Sequence, residues 1–372
     1  MKIGIDATPL PAQPFGAGKY IIELIRHLPL QTSAHRFVVF ATPAGRRQIG
    51  ELPTQNLEWV AAPDLASPLR LVWEQIRLPA LARRHGLDLL HSLHYTSPYA
   101  LSCPSVVTFH DMTFFLFPEL HTRPKRLLFP RLIRLSARRA AALIANSAST
   151  RRDAMRILGL PSDRIHVTPL GVSQAFRPIR DPQVLADYRS RFSLPDAFIL
   201  FVGLIEPRKN LPLLLKTHAR LVERPGFPSL VLAGKKGWGS RQVEQLIKAL
   251  HLRDKVHFAG YFSDDELPIV YNLAQALVYP STYEGFGFPP MEAMACGTPV
   301  IATDVAALAE NIGPAGLLIP PLDEQALTDA LQTLLNNPAL QMRLSQAGIK
   351  RAAEFSWERT ARLTLQIYES LG

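Results

Sequence analysis

Short apolar runs alternate with amphipathic stretches along this chain, and that alternation restricts the fold more than any other feature. The stretches with helical periodicity include 20–28, 69–85, 124–139 and 147–158. The apolar runs before and between them are 2–6, 36–41, 87–91, 105–110, 142–145 and 164–168. Strands that alternate with helices form parallel sheets with helices on both faces. The pattern predicts an α/β protein with a doubly wound parallel sheet.

A second series of strand-like runs starts after a break at 171–182. Pro178 and Pro182 interrupt the periodicity there, and charged residues accumulate. The runs of the second series are 198–203, 229–233, 256–259, 276–279 and 299–302. Because 372 residues are enough for two domains with separate cores, the restart predicts a second domain of the same Rossmann-like type.

The composition excludes several classes of protein. With 47% hydrophobic and 19% charged residues the chain is not intrinsically disordered, and no apolar run approaches the ~20 residues of a membrane span. Cys103 and Cys296 are too few for a disulfide framework, which indicates a reducing compartment. The run 2–6 ends on Asp6 and predicts a first strand instead of a signal peptide. We therefore expect a cytoplasmic protein.

The net charge of +10 favours anionic partners such as nucleotide diphosphates, anionic lipid surfaces or nucleic acid. Nucleic acid is the weakest of these, because the sequence has no recognisable nucleic-acid module. In the basic segment 123–139, cations alternate with Leu, Ile and Phe. That pattern suits a helix on an anionic membrane surface, and it equally suits a core-facing helix with an Arg-rich outer face. Both interpretations stay open.

Two carboxylates bracket a run of glycine, phenylalanine and proline near the end of the second series. Glu284 and Glu292 enclose Gly-Phe-Gly-Phe-Pro-Pro-Met, in which glycines allow close approach of a ligand to backbone amides. Pro289 or Pro290 suits the first turn of a helix, whose free N–H groups and positive dipole end attract anions. Carboxylates accept hydrogen bonds from sugar and ribose hydroxyls. The run predicts a nucleotide-sugar pocket.

The stretch from Glu284 to Thr303 resembles the signature of the retaining glycosyltransferases of family four, which have the GT-B fold. The resemblance implies two Rossmann-like domains that face each other across a cleft, with a C-terminal helix that crosses back to the first domain. It implies an acceptor-binding domain of residues 1–176 plus 355–372 and a nucleotide-sugar-binding domain of residues 177–354. It also implies that Glu284 lies by the donor sugar and Glu292 by the ribose.

Two cations follow the first strand of the second series, where open α/β sheets bind ligands. Arg208 and Lys209 lie in Glu-Pro-Arg-Lys-Asn, a segment similar to one whose basic residues neutralise the leaving diphosphate in family four. Many members carry Arg directly after the glycine of the strand, but Leu204 follows Gly203 here. Whether Arg208 replaces that cation is left open.

Polar residues also follow strands of the first series. The loop Phe15–Tyr20 resembles a family loop that brings amides to donor phosphates and acceptor, although an ordinary tight turn remains an alternative. His110 ends a predicted strand where the family has a histidine near the sugar; the alternative is a core histidine. Asp111 is expected to orient that imidazole or to bind acceptor. Ser147 is predicted to be a helix N-cap.

These patterns define the candidate site residues. The predicted catalytic residues are His110, Glu284, Lys209 and Arg208. The predicted donor-binding residues are Gly16, Gly18, Gly203, Arg208, Lys209, Glu284, Gly285, Phe286, Gly287, Phe288 and Glu292. The predicted acceptor-side residues are Tyr20, His94, Tyr95 and Asp111. Because Asp-x-Asp and zinc-ligand spacings are absent from the sequence, we expect no metal and no cofactor.

The combined prediction is a retaining glycosyltransferase that moves a hexose, mannose or similar, from a nucleotide-diphosphate sugar to a hydroxyl of a glycan or lipid-linked acceptor. The wording of the motifs resembles bacterial mannosyl- and rhamnosyl-transferases of surface polysaccharide assembly. Such an enzyme is expected in the cytoplasm, at the inner face of the membrane. The alternatives are a GT-B nucleotide-sugar epimerase and a non-catalytic nucleotide-sugar-binding protein.

Overall fold

The computed structural model describes residues 1–372, apart from the side chain of Ser67. It divides the chain into two compact units. Unit 1 comprises Met1–Gly171 and Ser356–Gly372, and unit 2 comprises Val172–Phe355. The boundary expected from the sequence followed residue 176, a few residues later than the division in the structure.

Strands and helices alternate in both units. The elements of unit 1 are β1 (Lys2–Asp6), α1 (Ala17–His27), β2 (Arg36–Ala41), α2 (Pro43–Ile49), β3 (Leu57–Ala61), α3 (Ser67–Arg84), β4 (Leu89–Ser92), β5 (Ser105–Phe109), α4 (Thr113–Leu116), α5 (Arg123–Arg139), β6 (Ala142–Ala145), α6 (Ala148–Leu158) and β7 (Ile165–Val167). Those of unit 2 are α7 (Pro182–Arg191), β8 (Phe198–Val202), α8 (Leu211–Leu221), β9 (Ser229–Ala233), α9 (Ser240–Ala249), β10 (Val256–Gly260), α10 (Leu267–Leu273), β11 (Ala276–Tyr279), α11 (Phe288–Ala295), β12 (Val300–Thr303), α12 (Ala306–Ile312), β13 (Leu317–Ile319), α13 (Glu324–Leu335) and α14 (Pro338–Ala352). The last helix, α15 (Trp357–Glu369), belongs to unit 1.

Unit 1 is built on a parallel sheet of seven strands in the order β3-β2-β1-β4-β5-β6-β7. Ile5 is in register with Val39 of β2 on one side and with His91 of β4 on the other. The order of the strands reverses between β1 and β4, and ligands of open α/β sheets bind beyond the carboxyl ends at such a switch point. The residues after β1, β4 and β5 are therefore placed where a ligand can be bound.

Unit 2 has a parallel sheet of six strands in the order β10-β9-β8-β11-β12-β13. Phe198, Leu200 and Phe201 of β8 are fully buried, which explains why this strand is a continuous apolar run. Here the switch point lies between β8 and β11. The loop after β8 carries Arg208 and Lys209, and the loop after β11 carries Glu284.

The terminal helix α15 packs on unit 1, as the fold prediction required. Its apolar face places Ala361, Leu365 and Tyr368 in the core, with 0%, 6% and 0% of each residue exposed. The Thr360 hydroxyl donates a hydrogen bond to the Pro169 carbonyl oxygen at 2.6 Å. These contacts with unit 1 fix where the helix packs.

The sequence pattern missed β3 and β13, and both are edge strands. Most residues of β3 are only half-buried or exposed, so it has no continuous apolar run to recognise.

Ser147, by contrast, is the predicted N-cap of α6: its hydroxyl accepts a hydrogen bond from the Thr150 amide at 3.0 Å. Over the part of the chain that the structure describes, no helix is both long and apolar enough to cross a membrane.

Candidate functional site

The loops after β8 and β9 run side by side at the switch point of unit 2. A side chain on Gly234 would put its Cβ 2.0 Å from the Gly203 carbonyl oxygen, so only glycine fits where the two strands end. The Ile205 amide donates to the Lys235 carbonyl oxygen at 3.0 Å and continues this pairing into the loops. A single 3₁₀ turn, Pro207–Lys209, then presents the two cations.

Lys209 is a buried cation, with 7% of the residue exposed. Its Nζ donates to Glu284 Oε1 at 2.6 Å and to the Tyr279 hydroxyl at 2.5 Å. Burial lowers the pKa of Lys209, and the Glu284 carboxylate opposes that shift. Lys209 is therefore a buried and paired cation, not a solvated one.

Glu284 collects four donors on one carboxylate oxygen. Beside Lys209, its Oε1 accepts from Ser281 Oγ at 2.7 Å and from the Tyr279 hydroxyl at 3.2 Å, and Arg208 Nη1 lies 2.8 Å away. Burial raises the pKa of Glu284, but Arg208 and Lys209 together outweigh it and lower the value to about 2. Glu284 is ionised at neutral pH, and its Oε2 has no hydrogen-bond partner among the described residues.

Arg208 joins the two loops. Its Nη2 donates to Glu206 Oε1 at 2.7 Å, and its Nη1 donates to the Tyr283 carbonyl oxygen at 2.5 Å. Burial alone would lower the pKa of Arg208, and the two carboxylates, Glu284 first, raise it above its ordinary value. We call Glu206, Arg208, Lys209 and Glu284 the ion cluster. Its two positive and two negative charges compensate each other.

The helix α11 starts beside Glu284, as the glycine–proline run predicted. Gly287 is its N-cap with φ +89°, and a Cβ at this position would meet Leu308 Cδ2 at 2.5 Å. The Asn311 side-chain amide donates to the Phe286 carbonyl oxygen at 2.7 Å and fixes the loop. Because Pro289 and Pro290 carry no N–H, this helix end has fewer free amides than an ordinary helix N-terminus.

Glu292 lies inside α11 with 3% of the residue exposed. Its Oε2 accepts a hydrogen bond from the Tyr271 hydroxyl at 3.1 Å. Tyr271 is fully buried in α10, so the carboxylate is held against the neighbouring helix. The two motif carboxylates thus have different surroundings, since Glu284 is bound by cations and Glu292 by a phenol.

In unit 1, His110 follows the last residue of β5 and is 8% exposed. Its Nε2 donates to the Leu93 carbonyl oxygen at 2.8 Å, which leaves Nδ1 to accept from the Asn146 side-chain amide at 3.0 Å. Burial lowers the pKa of His110 to about 4. The imidazole is therefore neutral, with the proton on Nε2, and both ring nitrogens already have protein partners.

Two of the residues around His110 have aromatic rings, and one of them, Tyr95, also has a strained backbone. The His94 ring lies 5.5 Å from the His110 ring between centroids, and burial, with His110 next, lowers the pKa of His94 well below its ordinary value. Tyr95 has φ +59°, a left-handed conformation that costs about 1–2 kcal/mol in a residue with a Cβ. Its hydroxyl donates to Asp111 Oδ1 at 2.7 Å. We call His94, Tyr95, His110 and Asn146 the imidazole cluster.

Three predicted residues of unit 1 make contacts within the protein. Asp111 does not orient the imidazole, because its Oδ1 instead accepts from Tyr95 and from the amide and hydroxyl of Thr113. The Gly18 amide donates to the Phe15 carbonyl oxygen at 2.9 Å, and a Cβ on Gly18 would lie 2.9 Å from Pro14. Tyr20 is 0% exposed and belongs to the core.

Comparison with known proteins decides the family. Residues 15–176 match the model described as Glycosyltransferase Family 4, and residues 188–351 match Glycosyl transferases group 1. The D-inositol 3-phosphate glycosyltransferase of Frankia alni is 33% identical, over 78% of this chain and 70% of that protein. The chain belongs to the family-four glycosyltransferases. This glycosyltransferase is also 29% identical to the O-antigen chain mannosyltransferase B of Escherichia coli, with 100% of both chains covered.

A second relative from Escherichia coli is much longer than this glycosyltransferase. The serotype-specific mannosyltransferase WbdA is 33% identical over 63% of this chain, and the alignment covers 29% of WbdA. Among solved structures, Anabaena HepE in complex with UDP-glucose superposes with a TM-score of 0.79 at 20% identity, covering 100% of this chain and 99% of that one. Sucrose-phosphate synthase from Thermosynechococcus elongatus gives 0.78 at 23% identity, covering 100% and 98%. The fold is GT-B.

Sequence reasoning about this glycosyltransferase missed several residues that hold the candidate site. Tyr279 and Ser281 donate to Glu284, Glu206 holds Arg208, and Asn146 donates to His110. Each of them lies at or just after the end of a strand. A search of every strand end for polar residues would have found them, because carboxyl ends of parallel strands meet at one edge.

Proposed function

We propose that this glycosyltransferase moves a hexose, mannose or a similar sugar, from a nucleotide-diphosphate donor to a hydroxyl of a glycan or lipid-linked acceptor, with retention at the anomeric carbon. The observation that carries the proposal is the ion cluster, in which the Glu284 carboxylate is kept ionised by Lys209 and Arg208 at a switch point. The names of the two mannosyltransferase relatives from Escherichia coli support the choice of sugar.

In this proposal unit 2 binds the donor. Glu284 Oε2 accepts a hydrogen bond from a hydroxyl of the sugar, since Oε1 is already occupied by protein donors. A third N–H of Lys209 and the amides of Gly285 to Phe288 face the diphosphate, with Gly203 allowing close approach. Glu292 accepts from the ribose. The UDP-glucose in the HepE complex supports a nucleotide sugar as the donor class.

The charge balance of the ion cluster bears on how the leaving group is stabilised. When the bond between the sugar and the diphosphate breaks, negative charge builds up on the diphosphate. The acceptor oxygen bonds to the anomeric carbon, and the proton of the acceptor hydroxyl passes to the departing diphosphate oxygen. Arg208 is committed to Glu206 and Glu284, so we assign the direct phosphate contact to Lys209 and treat Arg208 as the residue that orients Glu284. We propose that Lys209 and the amides of Gly285 to Phe288 stabilise the leaving diphosphate without a metal or cofactor.

Unit 1 is proposed to bind the acceptor. The neutral imidazole of His110 lies at the end of β5 and is the proposed sugar contact of this unit, while His94, Tyr95 and Asp111 offer polar groups to the acceptor. Gly16, with φ +49° and open space around its Cβ position, remains the proposed contact of this unit with the donor phosphates. Gly18 and Tyr20 are proposed to stabilise the conformation of that loop.

The alternatives have less support. An epimerase needs an acid and a base across the sugar ring, but Glu284 is held ionised and both nitrogens of His110 are occupied. A non-catalytic binding protein is disfavoured because the family and the named relatives are glycosyltransferases.

A donor panel tests the proposed function. GDP-mannose, UDP-glucose and related nucleotide sugars are compared by thermal stabilisation and by slow hydrolysis, and the product anomer is then identified by NMR. We expect one donor to stabilise the protein, to release nucleoside diphosphate and to give a product with retained configuration. Inversion, or hydrolysis of none of the donors, would contradict the proposal.

Glu292→Ala should raise the donor KM with little change in turnover, since its role is in binding.

We also propose that α5 contacts an anionic membrane surface, on the inner face of the membrane. This helix buries Phe129 and Ile133 and leaves Leu127 and Leu128 exposed at 68% and 43%. Its outer face carries the exposed cations Arg123, Lys125, Arg126, Arg131, Arg134, Arg138 and Arg139. Exposed leucines among cations fit a lipid surface, where each charge is worth ~1 kcal/mol.

Sedimentation with anionic liposomes at low salt tests the membrane contact. Wild type should bind vesicles that contain phosphatidylglycerol and should be released by salt, while Arg131→Glu with Arg134→Glu should bind at least tenfold more weakly. Arg220→Glu with Arg241→Glu, which reverses two exposed arginines of unit 2, is the matched control. Failure of the wild type to sediment would remove the basis of this part of the proposal.

A further inference from the structure

A chain of buried hydrogen bonds in unit 1 connects the last helix to strand β5. The Tyr368 hydroxyl lies 2.5 Å from His91 Nδ1, and His91 Nε2 lies 2.8 Å from Thr108 Oγ1. Thr108 Oγ1 in turn lies 2.9 Å from the Tyr20 hydroxyl. All four residues are 0% exposed, so these polar groups are shielded from solvent and satisfy one another.

This series of hydrogen bonds ends at Tyr20, whose ring contacts the imidazole cluster. The Tyr20 and His110 rings meet edge to face, with centroids 5.1 Å apart and planes at 74°. Thr108 belongs to β5, two residues before His110. Since close-packed interiors transmit displacements, a shift of Thr108 or of the Tyr20 ring changes the position of His110.

The single ring proton of His91 requires one donor and one acceptor beside its ring. Burial, with His110 as the second cause, lowers the pKa of His91 to about 3, so its imidazole is neutral and carries one ring proton. One ring nitrogen therefore donates and the other accepts. Loss of the Tyr368 hydroxyl leaves His91 Nδ1 buried without a partner, and the ring must move or change tautomer to restore a bond.

We propose that Tyr368, His91 and Thr108 are positioning residues for His110, so that α15 sets the geometry of the imidazole cluster. The inference rests on the sugar-side role proposed for His110. The Tyr368–His91 contact joins residues 277 positions apart in the sequence. Helix α15 thereby takes part in the hydrogen bonding behind the proposed acceptor side of unit 1. None of the three residues touches the substrate in this scheme, and their effect passes through His110.

Three variants of the 372-residue chain test the inference. Tyr368→Phe removes one hydroxyl from the end of the chain, and Thr108→Val removes the central hydroxyl with little change of volume. Tyr99→Phe is the control, because the Tyr99 hydroxyl is buried in the same unit without a hydrogen-bond partner among the described residues. The imidazole nitrogens of His110 are observed by ¹⁵N NMR without substrate, and kcat and both KM values are measured with the active donor.

We expect both test variants to shift the His110 nitrogen signals and to lower kcat about tenfold with unchanged donor KM, whereas Tyr99→Phe changes neither. Unchanged His110 signals in the test variants would overturn the positioning role. Shifted signals with unchanged kcat would support the network and overturn the role of His110 in transfer. If Tyr368→Phe fails to fold, Thr108→Val and the same two readouts decide the question.

Discussion

The two units both place polar residues at the carboxyl ends of their parallel strands, but the charge of these residues differs. In unit 2 the ion cluster contains three cation–carboxylate pairs with distances of 2.6–2.8 Å. In unit 1 the imidazole cluster is neutral, because burial lowers the pKa of both His94 and His110 below their ordinary 6.5. One strand edge therefore holds fixed charges, and the other holds fixed hydrogen-bonding groups.

The difference follows from what each group can do when it is buried. A buried carboxylate is tolerated only with partners, and Glu284 has Lys209, Arg208, Ser281 and Tyr279. An imidazole can instead lose its proton, and His110 then needs only one acceptor and one donor, Leu93 and Asn146. A charged edge suits a diphosphate, and a neutral edge suits hydroxyl groups.

The largest expected effect is that of Glu284→Gln. The change keeps the shape of the side chain but removes the charge that Lys209 and Arg208 share, and kcat should fall by about 10²–10³. Removing one partner of a buried ion pair should also cost about 3–5 kcal/mol of unfolding free energy. Steady-state kinetics and urea unfolding measure the two effects. Glu244→Gln, which breaks an exposed pair with Lys236, is the control. Equal effects in the two variants would show that the buried ion cluster matters no more than an exposed ion pair.

Lys209→Met is expected to have the next largest effect. The variant removes the proposed phosphate contact while Arg208 still partners Glu284, so kcat/KM for the donor should fall about 30-fold. Initial rates at several donor concentrations give this value, and Lys236→Met on an exposed lysine of the same unit serves as control. Unchanged turnover together with unchanged donor KM would remove the phosphate role.

Acidification should distinguish the two clusters. The folded pKa of His110 is about 4 against an ordinary 6.5, so its contribution to stability is present above pH 6.5 and is lost as the pH falls towards 4. The folded pKa of Glu284 is about 2 against 4.5, so its contribution is lost only below pH 4.5. Between pH 7 and pH 5, His110→Asn should remove about 2 kcal/mol of the pH dependence of unfolding, and Glu284→Gln almost none.

Urea unfolding of both variants and the wild type at pH 7 and pH 5 checks this expectation. If Glu284→Gln changed the pH dependence in this window as much as His110→Asn does, the contrast between a charged and a neutral cluster would be wrong.

The smallest expected effect concerns the turn before α11. Gly287 and Gly313 both have positive φ, +89° and +53°, but only at Gly287 does an added Cβ meet another atom, Leu308 Cδ2 at 2.5 Å. Gly313→Ala should cost about 1 kcal/mol from backbone conformation alone, and Gly287→Ala should cost more and raise the donor KM. Thermal unfolding and donor titration compare the two. Equal costs would show that the turn at Gly287 has room to adjust.

Much of the fold could be predicted from periodicity. Buried parallel strands such as β2, β6 and β9 were bounded correctly, since continuous apolar runs mark them. The half-exposed edge strands β3 and β13 were missed for lack of that signal. The motif carboxylates and cations were also found, but their partners were not. Ser281 and Asn146 have no distinctive spacing in the sequence, and only the sheet brings them to Glu284 and His110.

The sequence by itself determined the class of the protein: two doubly wound domains, the family signature from Glu284 to Thr303, and the cations after β8. These features are local, because each depends on residues close together in the chain. The tertiary structure alone decided that Arg208 is committed to carboxylates, that His110 is a neutral imidazole, and that Tyr368 reaches His91. Charge state and hydrogen-bond partners depend on burial and on residues far apart in sequence, which no local pattern encodes.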